Sequence, residues 1–149
     1  MKSKVINLLL IIFLSTNIVS SEILPYSAKY NFESEEISIS GIREFYKTDN
    51  GFEMRFKASN LFASLFFLSK FEIKNNNVIS DSYEIKIRPK FLDRDQYLNF
   101  DYKNMEVRSE GVNNWVASLK DNFVYDPLNV QIMIRTNVKH GLKNFKINI

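Results

Sequence analysis

The chain has 149 residues, with 20 Lys and Arg against 17 Asp and Glu, one His and no Cys. That inventory excludes disulfides and a Cys/His zinc site, and it leaves a Ser–His–Asp triad only His140 to use. The small basic excess forms no stripe of the kind nucleic acid requires, so no nucleic-acid partner is expected.

The N-terminus reads in three parts. Lys2 and Lys4 precede an apolar run from Val5 to Leu14, and small polar residues follow to Ser21. This order predicts a secretory signal peptide over residues 1–21, with Val19 and Ser21 at the −3 and −1 positions before Glu22. Ile18 and Ser20 make a poorer site one residue earlier. The apolar run is about half as long as a membrane-spanning helix needs, so no stable anchor is expected after cleavage. Lipid attachment at a new N-terminal Cys is excluded by composition. The expected location is therefore periplasmic or secreted. Residues 22–149 have 18 basic against 17 acidic side chains, a net of +1. Their 128 residues predict one β-rich domain.

Ala28, Tyr30 and Phe32 alternate with Ser27, Lys29, Asn31 and Glu33, the period of a half-buried strand. Ile37 and Ile39 begin a second strand that runs to Lys47, and Gly41 within it predicts a bulge or bend. Thr48-Asp49-Asn50-Gly51 is a hairpin signal, because Asn-Gly accommodates the positive φ of a tight turn. Phe52, Met54, Phe56 and Ala58 then alternate with Glu53, Arg55, Lys57 and Ser59. Phe71 and Ile73 lead to a turn at Asn75–Asn77. Tyr83, Ile85 and Ile87 form the next strand, which Pro89 ends. A further pair spans Gln96 to Tyr102 and Met105 to Ser109, with a turn at Lys103-Asn104. Gly111 and Asn113-Asn114 turn again before Trp115.

The pattern changes at Asp126, a favourable N-cap followed by Pro127 at the first helical position. Leu128, Ile132 and Arg135 share helical spacing, as do Val130, Ile134 and Val138. Gly141 is placed to end the helix. The prediction is a helix over Pro127–Lys139, packed by one face on the sheet. A strand is the alternative, given the β-branched content. The expected fold is mainly β: an antiparallel curved sheet or incomplete barrel of about seven strands, with one C-terminal α-helix. Phe145 and Ile147 begin another alternation where the sequence stops, so a C-terminally incomplete sheet is expected.

Several segments together resemble a family of exported bacterial proteins, domain of unknown function 3108. They are Tyr26-Ser27-Ala28-Lys29-Tyr30, the run Gly51 to Ala58, Phe71-Glu72-Ile73 with its Asn turn, and Phe100-Asp101. The most specific is Asp126-Pro127-Leu128 followed by Arg135 and Gly141. It is similar to that family's Asp-x-Leu-Ser helix, with Asn129 in place of the usual Ser. The resemblance implies an exported β-rich domain, and carries no established activity. Family members continue for several more strands. At fold level the architecture is similar to half-barrel periplasmic carriers of lipoproteins and lipids.

His140 lies in the last turn of the predicted helix, where a cation meets the helix dipole, so no catalytic role is assigned to it. Asp93-Arg94-Asp95 and Glu35-Glu36 lack the spacing and the Gly of a calcium loop and read as solvated turns. No metal site, cofactor or catalytic residue is predicted, and the chain is expected not to be an enzyme. Leu61 to Leu68 is an apolar run with three Phe and no charge. A half-exposed antiparallel strand should not be apolar on both faces. The run reads as a buried strand or short helix, or as a lid over a hydrophobic cavity. In the second case Phe62, Leu65, Phe66 and Phe67 are candidate ligand-binding residues for an acyl chain. The expected function is binding of a hydrophobic ligand or lipid in the curved sheet. The alternative is an envelope structural or assembly factor that docks a partner protein through the apolar segment.

Overall fold

The computed structural model describes residues 23–35, 38–89 and 94–147. The predicted leader, Glu36, Ile37 and Asp93 lie outside the described residues. Eight strands precede one helix: β1 Tyr26–Glu33, β2 Ser38–Thr48, β3 Gly51–Ser59, β4 Ala63–Lys74, β5 Asn77–Pro89, β6 Arg94–Asp101, β7 Glu106–Gly111, β8 Trp115–Ser118 and α1 Val130–Lys139. Each strand pairs antiparallel with the next, in the order β1 to β8. The sheet is open, with β1 and β8 at its edges. The expected class is thus observed, with eight strands where about seven were predicted. The additional strand is the short β8 beginning at Trp115.

Period-two alternation assigns the faces. One cross-strand row joins Tyr26, Phe45, Met54, Ser69, Tyr83, Leu98, Ser109 and Trp115. These residues lie on the inner face, the one that α1 covers in part. Phe45, Met54, Phe71 and Val78 are almost wholly buried there with Ile132 of the helix. Phe45, Phe52 and Phe71 stack with centroids 5.5–6.2 Å apart. Burying side chains of this size contributes about 1.5–3 kcal/mol each, and this stack is the firmest part of the core.

Two turns and one glycine differ in detail from expectation. At the first hairpin Asp49 and Asn50 form the loop closed by Thr48 and Gly51, and Gly51 rather than Asn50 takes the positive φ, 139°. At the second, Asn75 and Asn76 both have positive φ, 52° and 65°, the pattern of a primed two-residue turn. Gly41 makes no bulge, since pairing runs through it in register on both sides. It is there for space: a Cβ at Gly41 would lie 2.9 Å from the Phe56 ring. The register shift falls instead at Lys70/Phe71, opposite Ser80 to Ser82.

The helix begins later than predicted. Residues 127–129 form a turn, and regular helix starts at Val130. The N-cap position is Asn129, with no side-chain cap hydrogen bond, and Asp126 instead holds the turn that precedes it. The Asp126 Oδ1 accepts from the Leu128 and Asn129 amides at 2.8 and 2.9 Å, and its carbonyl accepts from Val130 N–H. At the other end Gly141 has φ 78°, and Leu142 N–H reaches back to the Asn137 carbonyl. That is a Schellman closure. The buried helix positions are Val130, Ile132, Met133 and Thr136. Val138 and Arg135, predicted on shared stripes with the core residues, are exposed.

Candidate functional site

The four candidate binding residues do not form one surface. The run that contains them is the start of β4, a central strand bonded to β3 and β5. Period two then divides it. Leu65 and Phe67 point to the inner face, opposite Ala58 and Phe56. Phe66 points to the outer face, where Lys57 and Lys86 sit 5.8 and 5.6 Å from its ring. Those two ammonium groups explain how the uncharged start of the strand tolerates an outer face, because long lysine stems cover the aromatic ring. Phe62 and Leu61 precede the strand in a turn and are 66% and 87% exposed. The turn is held by Asn60, whose Oδ1 accepts from the Phe62 and Ala63 amides at 2.9 Å.

The inner face has two unlike halves. Over β2–β5 the inner face is closed by the helix around Phe45, Met54 and Phe71, with the neighbouring row of Arg43, Phe56 and Phe67 half-buried. Over β5–β8 it lines a cavity of about 720 Å³. Ile85, Leu98, Phe100, Val107, Trp115 and Ala117 supply the sheet wall, and Val124, Tyr125, Pro127 and Ile147 the facing side. The wall is mostly hydrocarbon and aromatic, and small-molecule sites of about 300–1,000 Å³ have this character. None of Phe62, Leu65, Phe66 and Phe67 lines this cavity, and the residues that do line it are not singled out by the sequence. Their signal was present as alternation in Leu98 and Phe100 and again in Trp115 and Ala117, but it is the same signal that marks core.

Asp126 stands where the cavity meets the closed half. Its Oδ2 accepts from Ser69 Oγ at 2.6 Å and from Asn129 Nδ2 at 2.7 Å. The Asn129 amide also donates to Ser80 Oγ, and Ser80 donates to the Val124 carbonyl. Two strands, the approach loop and the helix start are joined by this cluster, which is buried throughout. Burial raises the Asp126 carboxyl to a pKa of about 6 against the lowering effect of its Ser69, Asn129 and Leu128 donors. Desolvation of the charged form therefore outweighs hydrogen bonding here. Burial, followed by the Asp126 charge, also raises the Tyr83 phenol beside it.

The remaining titratable candidates lie apart. His140 is exposed at the helix C-cap, its backbone N–H bonded to the Thr136 carbonyl. Asp95 is engaged by Arg88 at 2.8 Å. Among the described residues no group of three or more His, Cys, Asp and Glu is arranged to hold a metal ion, and no helix is long and apolar enough to cross a membrane. No protein-family model, curated protein or solved structure matches the chain.

Proposed function

We propose that this is an exported, non-enzymatic protein that binds a hydrophobic ligand of the acyl-chain class in the cavity between β5–β8 and the segment leading into α1. The observation that carries this reading is the cavity itself: about 720 Å³, walled by apolar side chains on the face that elsewhere forms the core. Apolar surface left open in this way is favourable to fill, at roughly 25 cal/mol per Å² removed from water. The strongly perturbed acid at its edge has both carboxylate oxygens occupied in holding the helix, so it acts as a structural group. Mass spectrometry of an organic extract of the native protein should find acyl-chain species. The delipidated protein should bind a neutral fluorescent apolar probe, and Leu98→Asp should remove that binding. An empty extract together with no probe binding would overturn the reading.

The exposure of Leu61 and Phe62 favours a second reading, in which an envelope partner protein docks on that turn. A photo-crosslinker at position 62 should then trap one stoichiometric partner in cells. Scattered adducts, or none, would remove this reading and leave the first untouched.

A further inference from the structure

Arg43 is a cation on the apolar face. It belongs to the inner row that runs Ala28, Arg43, Phe56, Phe67, Ile85 and Gln96 across six strands. Its guanidinium lies 4.7 Å from the Tyr30 ring centroid and 5.9 Å from that of Phe56. Gly41 makes this packing possible, since the Phe56 ring occupies the space its side chain would take. One nitrogen, Nη1, donates to Tyr30 Oη at 3.2 Å and to Gln131 Oε1 at 2.5 Å. Both acceptors are neutral. Nε is buried and has no acceptor, and no carboxylate among the described residues pairs with the group. A partly desolvated cation ordinarily acquires a counter-charge, because the cost of removing it from water is otherwise uncompensated. Nη2 is the edge left to take an acceptor, through the charge-assisted N–H bond that a guanidinium makes to a carboxylate.

We propose that Arg43 is the head-group site for the ligand, and that the ligand is a long-chain carboxylate. This rests on the apolar cavity being a binding site, and adds the ligand's charge and direction. The carboxylate meets Arg43 beside the Tyr30 hydroxyl. The chain crosses Phe56, Phe67 and Ile85, which follow Arg43 in the same row, and enters the cavity that Ile85 and Leu98 line. Strands lie about 4.8 Å apart, so the path from β2 to β6 is roughly 19 Å, the extent of a saturated chain of roughly fifteen carbons. The aromatic centroids on the path are 6.1 Å apart, Phe56 to Phe67, which makes a continuous apolar floor.

The test compares two ligands with one chain and different heads. Hexadecanoate and hexadecanol are each titrated into the delipidated full-length mature protein by displacement of a neutral apolar probe at pH 8. Hexadecanoate should bind at least tenfold more tightly than hexadecanol, the range of a charge-assisted hydrogen bond. Arg43→Met should bring the two affinities together by weakening the acid and sparing the alcohol. Gln131→Met removes the contact to the helix and leaves the cation, and should keep the preference. Equal binding of acid and alcohol by the unaltered protein overturns the head-group assignment while the cavity reading stands. Binding of neither overturns the cavity reading, and this one with it. Direction is read separately from Trp115, the single tryptophan of the chain, which stands in the cavity wall. Its fluorescence should be quenched more by 16-bromohexadecanoate than by 2-bromohexadecanoate. The reverse order would place the head in the cavity and exclude Arg43.

Discussion

The two halves of the inner face are built from the same alternating pattern and differ in how fully they are covered. Over β2–β5, Phe45, Met54, Phe71 and Val78 are almost wholly buried, because α1 sets Ile132 and Met133 against them. Over β6–β8, Phe100, Val107 and Ser109 are buried too, but Leu98 is half-buried and Trp115 is 43% exposed, where the loop and tail opposite stand off the sheet. The difference lies in one short helix and where it is pinned. Alternation decides which side chains face inward, and a partner element decides whether the inward face becomes core or cavity.

The sharpest break in that comparison is a large-to-small change on each side. Phe71→Ala should cost about 3–5 kcal/mol, since a stacked, fully buried ring is lost and its neighbours cannot follow. Leu98→Ala should cost less than half of that, because its side chain already borders open space. Urea unfolding midpoints of the two variants measure this directly. Equal losses would mean that the β5–β8 half is packed as tightly as the other, and would close the cavity.

The next effect concerns the pin between the halves. Asp126 has its carboxyl raised from 3.8 to about 6 by burial, so the folded protein keeps a proton that the unfolded chain has already released. Its contribution to stability is thus fully present below about pH 4 and is lost as pH rises through 6. A shift of that size corresponds to roughly 3 kcal/mol between the two ends of the window. Unfolding free energies measured from pH 4 to 8 should fall by an amount of this order, and Asp126→Asn should flatten this part of the profile. An unchanged slope in the variant would assign the pH dependence elsewhere.

The helix end gives a smaller effect. Gly141 has φ 78° and no atom within 4 Å of the place a Cβ would take, so Gly141→Ala adds no clash. It should cost about 1–2 kcal/mol through the left-handed backbone alone. Thermal melts of this variant report how much of the closed half depends on a well-terminated helix. No change would show that tertiary packing alone holds the last turn.

Much of this architecture is readable from local sequence. The alternation of Ala28 to Phe32, Phe52 to Ala58 and Tyr83 to Ile87 marks three strands, and Asp126 with Gly141 brackets the helix. Each of these is a local pattern with a local cause. What was not readable depends on neighbours far along the chain. Ser69 and Ser80 bind the helix start from 57 and 49 residues away, and neither serine stands out in its own strand. The Leu61–Leu68 run does enter a strand, one of its two readings, but that Phe66 finds its cover in Lys57 and Lys86 depends on adjacent strands. Arg43 on the inner face, by contrast, is legible in the sequence. It falls in phase with Ile39, Gly41 and Phe45, and an arginine in an apolar phase is a question that alternation itself raises.

The smallest stability effect is also the one that speaks most directly to the cavity. Ala117 is exposed on the edge strand β8 and contributes to the cavity wall. Ala117→Phe places a ring where the structure has open space. Surface changes away from packed features usually stay within about 0.5 kcal/mol, and that is the expectation for this variant. Overpacking a filled core would instead cost about 1–3 kcal/mol. The stability measurement therefore reports whether the space exists, and the binding measurement reports whether it is used. With the cavity open and occupied by ligand, the variant should unfold at the wild-type urea midpoint and bind the neutral apolar probe at least tenfold more weakly. A stable variant with unaltered probe affinity would show that the space is real but that the ligand lies elsewhere on the inner face, nearer Phe56 and Phe67.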